Sequence, residues 1–432
     1  MRLSIFVMAL TISMSTLAGQ RVTQEAGDSN VLPNFVPEYK LTDPTGVGES
    51  FGWSDIGITS TGLALVAANN DTVGTTQHEG KVYFYLKAGD GSWGLKQTLT
   101  DSAGQFDEHF GFSLALRGTT AVIGAIGANS GKGRALVFDY ANGTWTQVAT
   151  LAPSDLGSNA GFGYSVAINA STILVGAPSF AFGTSGGGGG AVYAFQKNGS
   201  GVWTQVQEFT SSNDLSTDDF GASLAVSGTT AIIAAPRLGT GLTTDGSVYV
   251  FDVVGGSWTQ QQEIYPSGLG TFDSTAMKLA MRSDTALIGA PSSTINLHPG
   301  EGIVYVLKDS GGTWAQTQQI YLGSTHSGEH FGRAVDIADN GDVLIGAPQT
   351  TIGGNSSQGK AYLYTENASG SYVSSGNYLA SDGSANDYYG SAVAFDKGAT
   401  LLGGPTDVAI GAFGVKDVSG NVVGAAYLYP YP

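Results

Sequence analysis

The stretch FGYSVAINASTILVGAP, residues 162–178, decides the fold because its pattern recurs along the chain. The aromatic-glycine pair that opens it returns at intervals of roughly 50–60 residues, the length of the longer known structural repeats. The copies begin at Phe51-Gly52, Phe110-Gly111, Phe162-Gly163, Phe220-Gly221 and Phe331-Gly332, with a degenerate copy at Phe272 and a tyrosine version at Tyr389-Gly390. Seven copies of one unit therefore account for nearly the whole chain.

Each unit holds four short apolar pieces. After the two in the quoted stretch come a piece such as AVYAF (191–195) and an outer piece such as WTQVATL (145–151). All four are rich in Val, Ile, Tyr and Phe, alternate with small or polar residues, and are bounded by Gly, Asn or Ser, which is typical of antiparallel strands. Seven four-stranded units predict an all-β fold, a seven-bladed β-propeller of antiparallel blades.

The two ends of the chain complement each other. The last unit stops at AAYLYPYP (425–432) and lacks an outer piece, whereas FVPEYKL (35–41) has the spacing of WTQVATL near the start. We therefore expect the N-terminal strand to complete blade seven, so that residues 35–432 form one propeller. Ring closure removes the exposed sheet edges that would otherwise invite aggregation.

The N-terminus and the composition indicate export. Residues 1–19 have one arginine, an apolar run and then small residues, which predicts a signal peptide, and residues 20–34 form a polar N-terminal arm. The net charge of −17 argues against nucleic acid as a partner. The absence of cysteine excludes disulfides and thiolate metal sites. We expect a secreted monomer without membrane insertion, extracellular or at the cell surface, or periplasmic in a Gram-negative bacterium.

The repeated unit resembles the FG-GAP repeat of integrin α-chain propellers and their bacterial relatives. The Gly-Ala-Pro element stands at 176–178, 289–291 and 346–348, with variants in the other copies. Many members of that family carry a calcium loop between the first two strands. Here those turns are short and poor in acids, a departure from the family, so we expect no required cofactor. Asp336, Asp339 and Asp342 come nearest to such a loop, and bound Ca²⁺ at them is a weaker alternative to ordinary turn chemistry.

Long connections are predicted on one face only. The second-to-third and blade-to-blade loops are long, whereas the other two connections in each blade are tight turns. Acids stand two residues before most of the repeated aromatics, and we expect them to surround the mouth of the central channel. They either attract a cation or basic partner or accept backbone N–H groups in their own turns. The ligand-binding candidates on this face are Glu49, Asp107, Glu108, Phe180, Phe182, Asp218, Asp219, Arg237, Glu329 and Asp387.

No catalytic motif assembles from the sequence. The five histidines include two repeat-equivalent pairs, His109 with His330 and His78 with His298, and equivalent positions belong to different blades. We therefore predict a non-catalytic binding or adhesion module that recognises an extracellular protein or glycan. The alternatives are a propeller-type polysaccharide hydrolase or lyase, and a structural subunit of a surface layer or matrix.

Overall fold

The computed structural model describes residues 38–46, 50–178, 189–212, 219–236, 246–266, 278–295, 297–323, 327–396 and 407–431. These residues form seven separate four-stranded antiparallel sheets. The predicted all-β, seven-bladed propeller is therefore confirmed. The expected signal peptide (1–19) and polar arm (20–34) lie outside the described residues.

The first four blades follow one another along the chain, each with its strands in sequence order. Blade 1 contains β2 (Ile56–Ile58), β3 (Leu63–Ala68), β4 (Lys81–Lys87) and β5 (Trp93–Leu99). Blade 2 contains β6 (Phe110–Arg117), β7 (Thr120–Ala125), β8 (Arg134–Ala141) and β9 (Thr144–Leu151). Blade 3 contains β10 (Ser165–Ile168), β11 (Thr172–Ala177), β12 (Ala191–Lys197) and β13 (Trp203–Phe209). Blade 4 contains β14 (Ser223–Ser227), β15 (Thr230–Ala235), β16 (Ser247–Val254) and β17 (Ser257–Ile264).

The remaining blades keep the same order except at the ring closure. Blade 5 contains β18 (Lys278–Arg282), β19 (Thr285–Ala290), β20 (Ile303–Asp309) and β21 (Trp314–Ile320). Blade 6 contains β22 (Ala334–Ile337), β23 (Val343–Ala347), β24 (Lys360–Glu366) and β25 (Tyr372–Tyr378). Blade 7 contains β26 (Tyr389–Phe395), β27 (Asp407–Ala412), β28 (Ala425–Pro430) and, as its outer strand, β1 (Tyr39–Thr42).

The N-terminal strand closes the ring as predicted. Strand β1 pairs antiparallel with β28, with Tyr39 opposite Leu428 and Thr42 opposite Ala425. Glu38, the residue before β1, adds to this connection. Its carboxylate accepts hydrogen bonds from the Ser381 hydroxyl and from the Tyr429 hydroxyl, at 2.7 and 2.9 Å. Residues 35–37 of the expected strand lie outside the described residues.

Each repeated aromatic that the structure describes packs in the joint between two blades. Phe331, like its described equivalents in the other blades, is fully buried. Its ring meets Tyr362 edge-on at 5.6 Å between centroids. Its backbone crosses Gly302 of the preceding blade so closely that a Cβ there would lie 2.2 Å from the Phe331 carbonyl oxygen. The described residues show one such glycine contact at six of the seven joints, and Phe272, the aromatic of the joint between blades 4 and 5, lies outside the described residues.

Helix contributes almost nothing to the described residues. One short helical turn, α1 (Ala128–Gly131), lies in the loop between β7 and β8, and two of its residues have left-handed backbone angles. No helix in the described ranges has the length and apolar character needed to cross a membrane.

Candidate functional site

The strand order places two kinds of connection at opposite ends of the ring. Because each blade is antiparallel, its second-to-third connection and the connection to the next blade emerge at the same end. We call this end the long-loop face, and the opposite end the short-turn face. In blade 1 the second-to-third loop spans residues 69–80, whereas the first two strands are joined by residues 59–62 alone.

Backbone hydrogen bonds tie each long loop to the next blade. The His109 and Phe110 amides of blade 2 donate to the His78 and Glu79 carbonyls of blade 1, at 3.0 and 2.8 Å. The same pairing recurs between blades 5 and 6, where the Phe331 amide donates to the Glu301 carbonyl at 3.0 Å. Side chains on these loops are therefore presented by a rigid framework, which lowers the entropic cost of binding.

An aromatic patch forms where blade 1 meets blade 2 on this face. The rings of His78 and His109 stack with centroids 6.0 Å apart, and the centroid of the Phe106 ring lies 6.4 Å from that of His78. A carboxylate oxygen of Asp107 lies 2.7 Å from Nδ1 of His78, within hydrogen-bonding distance. Burial lowers the pKa of His109, against the opposing effect of Asp107, and favours its neutral ring. We call His78, Phe106, Asp107 and His109 the aromatic patch.

The aromatic patch was only partly visible in the sequence. Asp107 belonged to the predicted candidates, but repeat equivalence compared His109 with His330 and never with His78. The signal that could have found the pair is the general rule that the second-to-third loop of one blade lies against the start of the next.

Exposed aromatic side chains concentrate on the long-loop face. Three Phe or Tyr side chains and no Trp side chain are exposed among the described ranges, and all three lie in connections on this face: Phe106, Tyr265 and Tyr321. In the turns of the short-turn face, the exposed hydrophobic residues among the described ranges are the valines Val202 and Val254, and none is aromatic. Aromatic side chains give large contact area at low conformational cost, so this asymmetry separates the two faces chemically.

Glu108, another predicted candidate, is fully buried in a charged cluster. Arg134 Nη2 lies 2.7 Å from a carboxylate oxygen of Glu108 and 2.7 Å from one of Asp101. The other Glu108 oxygen accepts the Gln105 amide of its own turn at 2.7 Å. Burial and the neighbouring Asp101 raise the pKa of Glu108 above its ordinary value. Glu108 therefore stabilises the connection between blades 1 and 2 through buried hydrogen bonds.

The remaining described acids of the candidate set are also largely buried. Asp387 accepts the Ser384 amide at 2.6 Å, and Glu329 accepts the Thr350 hydroxyl at 3.0 Å. Asp219 precedes Phe220 with a left-handed φ of 53°. The candidates that lie outside the described residues are Glu49, Phe180, Phe182, Asp218 and Arg237. Ligand binding by any of these residues stays a prediction.

The side chains of the three weak calcium candidates each interact with a different residue. Asp336 accepts the Phe395 amide at 2.8 Å, Asp339 pairs with Arg282, and Asp342 accepts the Tyr431 hydroxyl. Among the described residues, no group of three or more His, Asp or Glu side chains has an arrangement that could hold a metal ion.

The first strands of the seven blades surround a central channel. Its cavity of about 220 Å³ is lined by both polar and apolar side chains, and Leu114, Leu224 and Met281 are examples of the apolar ones. Charged and polar groups enter it at Asp55, Tyr164 and Lys278 on the side of the long-loop face, where their strands begin. None of Glu108, Glu329 and Asp387 is among the residues that line this cavity.

Comparison with known proteins bears on the repeats and on the fold. The family model of the FG-GAP repeat matches residues 93–138, 145–195, 203–251 and 314–364. Each match runs from the outer strand of one blade to the third strand of the next. No curated protein sequence matches the chain.

A solved structure shares the architecture at low identity. The crystal structure of a putative 6-phosphogluconolactonase from Bacteroides uniformis superimposes with a TM-score of 0.52 at 13% identity, over 77% of this chain and 86% of that one. At this identity the likeness concerns the fold alone. The chain contains FG-GAP repeats at four positions, and its seven-bladed β-propeller is consistent with an integrin-α-like propeller.

Proposed function

We propose that this protein is an exported, non-catalytic binding module that recognises an extracellular protein or glycan through its long-loop face. The observation that carries the proposal is the placement of Phe106, Tyr265 and Tyr321, the three exposed Phe and Tyr side chains of the described residues, on that one face. Aromatic residues are enriched at the energetic centres of protein interfaces and also stack against sugar rings.

The aromatic patch supplies the chemistry for such recognition. Phe106 is 63% exposed and stands beside the stacked imidazoles, so it offers an apolar surface with polar groups at its edge. Asp107 and His78, each about half exposed, add a hydrogen-bond acceptor and a donor. A small apolar centre surrounded by polar groups is the usual composition of a specific interface.

The environment of the buried acids favours binding over hydrolysis. A glycosidase needs two carboxyl groups facing the substrate from about 5–9 Å apart. Glu108, Glu329 and Asp387 are instead at most 7% exposed, and each carboxylate accepts a hydrogen bond from its own blade or an adjoining turn. We propose that calcium is not needed either, because the acids at 336, 339 and 342 engage separate partners.

A binding screen tests the proposal. The chain from Gln20 onward, fluorescently labelled, is applied to a glycan array and to immobilised extracellular matrix proteins. Chromatography records any shortening of the polysaccharides, and light scattering records self-assembly. We expect saturable retention on at least one target without product release. Release of shortened chains would instead support the hydrolase or lyase, and concentration-dependent assembly without retention would support a surface-layer or matrix subunit.

A further inference from the structure

Two cationic residues of neighbouring blades lie at the end of the central channel near the long-loop face: Lys278 lines the cavity, and Arg333 directly precedes Ala334, which also lines it. Lys278 is the first residue of β18, and Arg333 immediately precedes β22. Both interact electrostatically with Asp55 of blade 1, and Arg333 also interacts with Tyr164 of blade 3. Because these partners belong to other parts of the ring, the two cations must point across the channel axis and not outward.

Lys278 breaks the repeat at this position. Lys278 pairs with Gly289 of the second strand of blade 5. The residues that pair with the equivalent glycine or alanine in blades 2, 3 and 4 are Ser113, Ser165 and Ser223. In blades 2 and 3 that serine donates a hydrogen bond to the glycine carbonyl of the next blade, at 2.8 and 2.6 Å. A lysine there gives up this joint contact and places a charge in a confined space. Departures from a local rule without a structural return are expected at functional sites.

Arg333 departs from the repeat in the same way. Its equivalents after the repeated aromatic-glycine pair are Phe112, Tyr164 and Ala222, all uncharged. The Phe112 and Tyr164 rings pack against each other with centroids 5.0 Å apart. The channel entrance thus combines an aromatic pair on blades 2 and 3 with a cationic pair on blades 5 and 6.

Two acids among the described residues line this cavity, Asp55 and Asp336, and Asp336 accepts a hydrogen bond from the Phe395 amide. Asp55 is the acid that faces both cations, and one of its oxygens already accepts the Leu114 amide at 3.2 Å. Among the described residues, neither Lys278 nor Arg333 forms an ion pair within 4 Å. Burial lowers the pKa of both groups, which reflects the cost of holding them charged in this space. An anion at the same place would remove that cost.

We propose that the central channel binds a small organic carboxylate between Lys278 and Arg333, with the carbon part of the ligand against Tyr164. The guanidinium presents the planar fork that matches a carboxylate, and the ammonium adds a second charge-assisted hydrogen bond. The cavity of about 220 Å³ lies below the 300–1,000 Å³ of sites for drug-sized ligands, so the ligand is small. This site lies on the channel axis and is separate from the aromatic patch.

Calorimetric titration with succinate tests the proposal. Succinamide, the neutral analogue, and sulfate, an anion without a carboxylate, serve as comparison ligands. We expect binding of succinate, at least tenfold weaker binding of sulfate and none of succinamide. Equal affinity for sulfate would overturn the assignment to carboxylates, and equal affinity for succinamide would overturn a charge-recognising site altogether.

Two variants replace a cation with the residue at the equivalent position of blade 4, so we expect both to fold. Lys278→Ser introduces the residue found at Ser223, and Arg333→Ala introduces the residue found at Ala222. Each is expected to weaken succinate binding at least tenfold. Lys96→Ser, which removes the same charge from an exposed position on β5, is the control and is expected to change it less than twofold. An equal loss in the control would show nonspecific electrostatic attraction and contradict the site.

A measurement on the unaltered protein covers the case in which a variant does not fold. Met277 and Met281 are the only methionines after residue 14, and Met281 lines the channel. With methyl-¹³C methionine, succinate should shift the Met281 methyl resonance saturably, with the affinity found by calorimetry. A resonance that does not move at saturating succinate would overturn the proposal.

Discussion

The side-chain amide of Gln262 in blade 4 bonds both backbone groups of Trp314 in blade 5. Its Nε2 donates to the Trp314 carbonyl at 2.7 Å, and its Oε1 accepts the Trp314 amide at 3.0 Å. The same pair of bonds joins Gln97 to Trp145, Gln207 to Trp258 and Gln318 to Tyr372. The recurring Trp and Gln of the outer strands therefore connect neighbouring blades near the rim.

Replacing this glutamine should weaken the connection between blades 4 and 5. Gln262→Ala leaves the Trp314 backbone amide and carbonyl without their partners, so we expect the free energy of unfolding to fall by about 1–3 kcal/mol. Urea unfolding measures the change. Gln261→Ala, at the exposed neighbouring position of the same strand, is the matched control and should stay within about 0.5 kcal/mol of the parent. Equal effects of the two changes would contradict a role for the amide bridge.

The close approach of Gly302 to Phe331 gives a second prediction. Both Gly302 and Gly312 have left-handed backbone angles, with φ of 85° and 89°, but a Cβ at Gly312 would meet nothing within 4 Å. Gly312→Ala should therefore cost about 1–2 kcal/mol of stability, from backbone strain alone. Gly302→Ala adds a clash with the Phe331 backbone and should cost about 1–3 kcal/mol more. Unfolding midpoints that coincide for the two variants would show that the joint tolerates a side chain.

The pH dependence of stability should contain a contribution from Asp71. Burial raises the pKa of Asp71 to about 6, although Tyr83 donates a hydrogen bond to it. Since its pKa in the unfolded chain is near 3.8, the folded state holds the extra proton between these values. Its stabilising contribution is therefore complete below about pH 4 and is lost as the pH rises through 6, by at most about 3 kcal/mol.

Asp71→Asn isolates this contribution, because asparagine resembles the protonated acid. We expect the variant to match the parent protein in urea unfolding at pH 4 and to be more stable than the parent at pH 8. A variant that is less stable than the parent at pH 8 would show that the Asp71 carboxylate is stabilising in its charged form and contradict this account.

Calcium should not affect the stability of the folded chain. Because Asp336, Asp339 and Asp342 have separate partners, we expect the same unfolding temperature in chelator and in millimolar calcium. An ion present at 100 times its dissociation constant would add about 2.7 kcal/mol to the free energy of unfolding. A rise of that size would place a calcium site in this protein, at these acids or in a segment outside the described residues.

The fold was predictable because one short pattern repeats. The aromatic-glycine pair, as at Phe162, marks the start of each blade, and its backbone must pass close to a glycine of the preceding blade. Its spacing therefore gave both the number of blades and their order. The pairing of Tyr39–Thr42 with the last strand followed from the missing outer strand of blade 7.

The candidate sites were less predictable because they depend on contacts between blades. Sequence comparison aligns equivalent residues, whereas His78 and His109 meet because they are not equivalent and lie on adjoining loops. The convergence of Lys278 and Arg333 on Asp55 also joins blades that are remote in sequence. Lys278 was also difficult to identify from the sequence, because the aromatic-glycine pair that marks the start of a repeat is degenerate in its blade, at Phe272.

The central claim, recognition through the long-loop face, is tested most directly by comparing one substitution on each face. Binding of Phe106→Ala and of Val254→Ala to the strongest target of the screen is measured by surface plasmon resonance. Both side chains are more than half exposed, so neither change should disturb folding. Loss of an aromatic contact at the centre of an interface costs about 2 kcal/mol or more. The account predicts at least tenfold weaker binding for Phe106→Ala and unchanged binding for Val254→Ala; unchanged binding for Phe106→Ala with a loss for Val254→Ala would contradict it.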